Sequence, residues 1–579
     1  MRPGRAPRLW PAVVAVGLLA FLGAAAGTGV AASHGARTTA DEPQYLLTAI
    51  SLAEDRDLDI ADELAAGRWR AFHALPLPEQ TEPLASGRRL SPHDPLLPLL
   101  LAAPVAAGGW VGAKLAMAAL AGLLAGLLLW TAVRRFGVPV GTGLLVVAVF
   151  ALSPPLAVYG TQVYPELPAA LAVVAAVAAL TTPGAPDRAG VVVVGVAVAA
   201  LPWLAVKYVP VAAVLALLAG WRLLGAGARQ RALALAAALA AAGVAFVVLH
   251  RWWYGGWTPY ATGDHFVAGE LSAVGSDPDY LGRSRRLLGL ATDRGFGVAA
   301  WQPAFLLAVP ALATLARRRP AGWAALALPL AAGWLVATFL ALTMHGWWFP
   351  GRQVVVVLPL AVLAVACWAG GGRRRPAVAV AGGVGVVAYA WLLADGLAGR
   401  VTWAVDFFAT RDPAYRAWQL VLPDYLTVTT ATWVLHAAWL VALAAWAAAA
   451  WRHAGEPSRG GESPGTATGE APTTAAAGRR PAGQRRRRAE TTMVAVDRQR
   501  ELPKPPLQRK SRAKRLVIDV DRSAVGLGAG QPLLPRARRL AHVVQQRAHR
   551  QRARAARGQA GQQQQRVDPH VALGMELRR

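Results

Sequence analysis

Apolar residues along this chain come in blocks of roughly 20, the length that carries an α-helix across a ~30 Å hydrocarbon core. Such blocks fall near 10–32, 113–133, 139–157, 163–181, 190–204, 207–221, 232–250, 298–316, 321–344, 353–371, 376–397 and 431–451. A further apolar piece, 95–109, is short and opens with prolines, so it is expected at the interface or only partly inside the bilayer. Residues 190–221 would make one helix of roughly 48 Å, too long for a single span. Pro202 and Pro210 supply breaks there, and two short spans with Lys207 at the turn are expected. The fold class predicted is an all-α polytopic membrane protein of about twelve transmembrane helices.

Arginine placement sets the expected orientation. Arg2, Arg5 and Arg8 precede the first block; later groups are Arg134-Arg135, Arg188, Arg222 with Arg229 and Arg231, Arg317-Arg318-Arg319, Arg373-Arg374-Arg375, and Arg452. With twelve spans all of these fall on one side, which the positive-inside rule makes the cytoplasm, with both termini there. Residues 1–32 also have the charged start, apolar centre and Ala-Ala end of a secretory signal. That block is long enough to span, and it is read as a retained first helix. The opposite, outer face then holds a large first loop, 33–94, together with 158–164, the Lys207 turn, 251–297, 345–351 and 398–430.

Composition agrees with a membrane chain. Of 579 residues 55% are hydrophobic and 16% charged, against about 25% charged in soluble domains. The one cysteine, Cys367, excludes a disulfide scaffold. The formal charge of +28 suggests nucleic acid until its distribution is read. Residues 454–579 carry 27 basic and 10 acidic residues and none of the chain's Phe, Tyr or Trp. Without aromatics this segment cannot bury enough surface to offset its ordering entropy. It is expected to be a disordered cytoplasmic tail, separate from a membrane domain of residues 1–453. Anionic headgroups are closer to such a tail than nucleic acid, which is disfavoured as a partner. Ala- and Arg-rich, Lys-poor usage points to a GC-rich bacterial genome and hence to the bacterial plasma membrane and the cell envelope.

Chemistry concentrates on the outer side. The first loop opens with Asp41-Glu42-Pro43-Gln44-Tyr45, two adjacent carboxylates at a membrane exit followed by an amphipathic stretch. That is a good station for a general base meeting a lipid-borne leaving group. Further along come Ser91-Pro92-His93-Asp94-Pro95-Leu96, Arg134-Arg135-Phe136-Gly137 at the close of the second span, Tyr164-Pro165-Glu166, and Leu201-Pro202-Trp203 leading to Lys207-Tyr208. In order and topology, over roughly residues 5–450, this pattern resembles the C superfamily (GT-C) of membrane glycosyltransferases, near the protein O-mannosyltransferases and aminoarabinose transferases. His93-Asp94 departs from the His-Pro-Pro form common in that family, and nothing in the family accounts for the tail.

The resemblance implies transfer of a sugar, hexosyl or pentosyl, from a polyprenyl-phosphate donor to an envelope acceptor on the outer face, by one inverting displacement. The acceptor could be a polysaccharide, a lipid or a protein. By position Asp41 is the catalytic base, with Glu42 beside it. Glu42 and Glu166 would place the acceptor or a cation, and Tyr45 and His93 complete the expected substrate-binding set. The departing phosphate needs cations. Lys207, one of two lysines before residue 454, is one candidate, although snorkelling to headgroups would also explain it. Arg352, in His345-Gly346-Trp347-Trp348-Phe349-Pro350-Gly351-Arg352, is the second; an aromatic belt with an interfacial arginine is the plainer reading of that segment. Arg283, Arg285, Arg286 and Arg294 are further candidates. His73 and His93 could join Glu166 or Asp41 around a divalent metal, but no spacing such as His-x-x-x-His occurs, so no cofactor is assigned and metal dependence stays open. The alternative reading is a polytopic transporter or flippase of an envelope precursor. Few ionisable residues inside the spans and no inverted-repeat pattern speak against it.

Overall fold

A computed structural model of the chain describes residues 9–455, except 265, 267, 268 and 276. The basic tail from residue 456 onward lies outside the described residues. The last described helix, Thr430–Gly455, runs two residues past the domain boundary expected at 453.

In lipid each backbone amide must be satisfied within the protein, and an α-helix does this inside one segment. Helices form accordingly. Among the described residues there is no sheet, only isolated bridges such as Ala36 with His73. Among the described residues seven helices are long and apolar enough to cross a membrane: Leu9–Gly29, Leu96–Phe136, Val206–Gly225, Arg229–Thr262, Trp323–Leu340, Arg375–Leu397 and Thr430–Gly455. Four shorter apolar helices, Val140–Ala151, Glu166–Leu180, Arg188–Leu204 and Leu358–Ala369, fall on other blocks. The block 298–316 is broken into Val298–Trp301, Pro303–Leu307 and Ala308–Arg318. Pro303 cannot donate to the helix ladder, and Gln302 caps the following turn through Ala304 N. The protein is thus an all-α multi-pass membrane protein with seven clear spans; the expected twelve is reached only by counting the short and broken helices.

Two details bear on the site. Leu96–Phe136 is interrupted at Gly108 and at Gly109, whose φ of +57° and ψ of −146° suit only glycine. The proline-rich arm 96–107 is therefore separate from the span that follows. Residues 190–221 also divide, with extended backbone at Ala205 between Arg188–Leu204 and a short 3-10 turn, Val206–Tyr208. That turn carries Lys207.

The first helix, Leu9–Ala26, crosses 110–136 at two glycines. A Cβ on Gly122 would stand 2.7 Å from the Gly17 carbonyl oxygen, so only small residues permit this approach. Gly122→Leu is expected to cost about 1–3 kcal/mol through overpacking and to lower the melting temperature in detergent. Gly141→Leu, with open space around its Cβ position, should leave it unchanged.

The arginine-bearing turns meet one another. Arg135 Nε donates to Ala178 O, Arg222 and Arg231 donate to carbonyls of the 182–186 turn, Arg375 Nε donates to Thr142 Oγ1, and Arg318 Nε donates to Ala454 O. At the opposite ends of the helices a second set of loops meets. Trp403 N donates to Ala31 O, Tyr164 Oη to Thr39 O, Val206 N to Asp94 Oδ2 and Glu82 N to Thr262 O. The ionisable side chains of the site sit among these second loops.

Candidate active site

Asp41 stands at the N-cap of the helix Glu42–Glu54, whose first turn holds Pro43, a favoured place for proline. Ala40 just before it has φ of +48°, a conformation that costs a residue with a Cβ. Gln80 holds the strained Ala40 carbonyl by donating to it at 3.1 Å. Residues held in such regions cluster at functional sites. The Asp41 carboxylate does not cap its helix. It turns instead to Arg352, which donates through Nη2 to Oδ2 at 2.5 Å, while His93 Nε2 lies 3.9 Å from Oδ1.

Arg352 also donates through Nε to Glu166 Oε1 at 3.2 Å, and the same oxygen accepts from Lys207 Nζ at 2.8 Å. His93, Asp41, Arg352, Glu166 and Lys207 thus form one chain of charged and polar contacts, drawn from five segments of the sequence. Tyr45 stacks on His93 with centroids 4.8 Å apart. Six of the seven residues of the expected catalytic and substrate-binding set thus lie in this one chain of contacts. Arg352 is sandwiched between Tyr164 and Trp348, at 4.1 and 5.0 Å from the ring centres. It leaves a turn at Gly351, where φ is +85° and a Cβ would press on Val298 and Pro155. Of the tryptophan pair, Trp348 belongs to this sandwich and Trp347 is exposed.

Glu42, the seventh, is fully buried, and both its oxygens accept backbone amides, from Thr39 and Val163 at 2.9 Å each. It pins the start of the Asp41 helix to the turn before Glu166. Each of its oxygens thus holds one backbone amide.

The electrostatics follow the contacts. Burial works against ionisation of Asp41, but Arg352 and His93 beside it hold its carboxyl well below the usual carboxylate range. For Glu42 burial prevails over Lys114 and the two amides, and its pKa is raised. Arg352 is buried too, yet Asp41 and Glu166 keep it charged beyond an ordinary arginine. Asp41 is therefore held ionised with 23% of its side chain exposed, whereas Glu166, paired with Arg352 and Lys207, is fully buried.

Two contributors escaped the sequence reading. Lys114 is buried inside an apolar helix and donates to Arg37 O at 2.7 Å, with its charge acting on Glu42. A lysine within a span was itself the available signal. Asp94 accepts from Val206 N, beside Lys207, and lies 3.2 Å from His250 Nε2; Tyr254 Oη donates to His93 O at 3.4 Å. This buried group ties the His93 segment to the Lys207 turn.

Three of the four other candidate arginines bond to backbone carbonyls. Arg283 donates to Phe339 O and Val274 O, Arg286 to Ala341 O and Leu342 O, and Arg294 to Gln419 O. His73 faces Thr38. Among the described residues, one acidic group has ligand atoms close enough to share a cation, Asp55, Asp62 and Glu63. It lies past the far end of the Asp41 helix.

No protein-family model and no curated protein matches this chain. Among solved structures it is similar to ArnT from Cupriavidus metallidurans bound to undecaprenyl phosphate, with 17% sequence identity, coverage of 76% of this chain and 74% of that one, and a TM-score of 0.45.

Proposed function

We propose that this protein is a membrane glycosyltransferase that moves a sugar from a polyprenyl-phosphate donor to a hydroxyl of an envelope acceptor at the outer face. The observation that carries the reading is the chain His93–Asp41–Arg352–Glu166–Lys207. It sets two carboxylates among two cations at one end of an apolar helix bundle, Glu166 fully buried between the cations and Asp41 still partly exposed. The motif order that resembles the GT-C superfamily points the same way.

In the reaction the acceptor oxygen attacks the anomeric carbon and its proton passes to Asp41. The bond from that carbon to the phosphate oxygen breaks, and its electron pair leaves with the polyprenyl phosphate. Arg352 and Lys207 receive the charge that develops on the phosphate. The proton reaching Asp41 removes one negative charge as the phosphate gains one, so the site keeps its net charge through the step. With one carboxylate available and Glu166 held between two cations, a single displacement that inverts the anomeric centre suits the geometry. Glu42 and Glu166 act as positioning residues, and Tyr45 orients His93.

The test is purified protein in vesicles with labelled polyprenyl-phosphate sugar. Acceptor-dependent release of polyprenyl phosphate supports the enzyme. Passage of intact donor between leaflets without release would replace it with a flippase.

The proposed orientation makes its own prediction. In a Cys367→Ser background, Ser86→Cys is expected to react with an impermeant thiol reagent added to intact cells. Gly371→Cys, in the Arg373 turn, should react only after permeabilisation. The reverse pattern would place the site on the cytoplasmic face.

A further inference from the structure

We propose that Asp55, Asp62 and Glu63 form a binding site for a hard divalent cation of the calcium class, which locks the turn after the Asp41 helix to the short helix that follows it. The helix Glu42–Glu54 ends at Asp55, and the next short helix, Ala61–Ala65, presents Asp62 and Glu63. One carboxylate oxygen from each of the three residues lies within 4.8 Å of the others.

The intervening acids are excluded by their own contacts. Asp57 Oδ1 accepts from Ser51 Oγ and Asp59 N, while Asp59 Oδ1 accepts from Ala61 N and Arg89 N. They fold the loop so that Asp55 returns to Asp62 and Glu63. Glu63 supplies the independent sign of a ligand. It is only 3% exposed, and its buried Oε2 has no hydrogen-bond partner. A buried carboxylate oxygen without a donor is costly, and a cation is the partner that three converging carboxylates can share. Arg68 does not fill this place, since both its terminal nitrogens are engaged by Glu54, at 2.7 and 2.5 Å.

The donor set selects the ion. Three carboxylates with no imidazole or thiolate favour a hard cation over zinc or copper. Two exposed aspartates leave room for the waters that complete six to eight oxygen ligands around Ca²⁺. The site is separate from the Asp41–Arg352 network, and the inference does not depend on the proposed transfer reaction.

The test uses the full-length protein purified in detergent and stripped with a chelator. Radioactive Ca²⁺ binding is expected to show one saturable site per chain, and added Ca²⁺ should raise the melting temperature by several degrees. Asp62→Asn and Asp55→Asn, both at exposed positions, and Glu63→Gln should each lower the affinity tenfold or more. The variants' chelator-treated melting temperatures, compared with wild type, report whether they fold. Absence of a saturable site in the wild-type protein, or undiminished affinity in folded variants, would overturn the assignment.

Discussion

Asp41→Asn is expected to cut sugar transfer by about 10² to 10⁴ while the protein still folds and still binds its donor. The amide keeps the size of the side chain and removes the site's ionised base. Donor binding should be retained or tightened, because Arg352 no longer has to leave a carboxylate 2.5 Å away to meet a phosphate. Turnover and donor affinity measured on one preparation separate the two effects. Near-normal turnover would move the base elsewhere, and the structure offers poor substitutes. Glu42 is fully buried with a backbone amide on each oxygen, and Glu166 is fully buried and paired with Lys207 and Arg352.

Arg352→Gln is the second large effect, and it acts on stability, donor handling and pH response together. Removing one partner from a buried ion pair typically costs 3–5 kcal/mol. Here the cost should fall near about 3 kcal/mol, because Lys207 remains on Glu166. The donor KM should rise. The acid limb of kcat/KM reports the base of the free enzyme. With Arg352 present, Asp41 is held below its ordinary value, so wild-type activity should persist as pH falls through the usual carboxylate range. In Arg352→Gln burial loses its main opponent, so the limb should move to higher pH. Arg352→Lys should fall between the two. It keeps a charge but loses the planar fork and the sandwich between Tyr164 and Trp348. An acid limb that stays in place in Arg352→Gln would uncouple Asp41 from the rate.

Much of this constellation was legible in the sequence because the chain is so apolar. Where few residues are charged, an Asp at a helix exit, a rare Lys at a proline-flanked turn and an Arg beside two Trp each stand out. The second group of loops could also be traced, since arginine clusters mark the other ends of the same helices. What could not be read depends on partners distant in sequence. Glu42 reads in the sequence as a residue placing the acceptor or a cation beside the base Asp41, yet its oxygens accept from Thr39 and from Val163, 121 residues away. Nothing in the dipeptide says which carboxylate faces inward. Asp94 read as a departure from a family motif, and only the fold shows that it meets His250 across 156 residues. Hydropathy located the block 298–316 but not its breaks, which depend on Gln302 finding Ser153 and Val149. The kink at Gly108 and Gly109 was foreshadowed by the short proline-rich piece before it, though not its place.

The central claim is that Arg352 and Lys207 hold the donor phosphate while Asp41 faces the sugar. A cryo-EM map of the wild-type protein with polyprenyl phosphate tests this most directly. The account predicts phosphate density within hydrogen-bond distance of both Arg352 and Lys207, with the Asp41 carboxylate released from Arg352 and turned toward the side where the sugar was attached. Phosphate density away from both cations, with the Asp41–Arg352 pair intact, would contradict it.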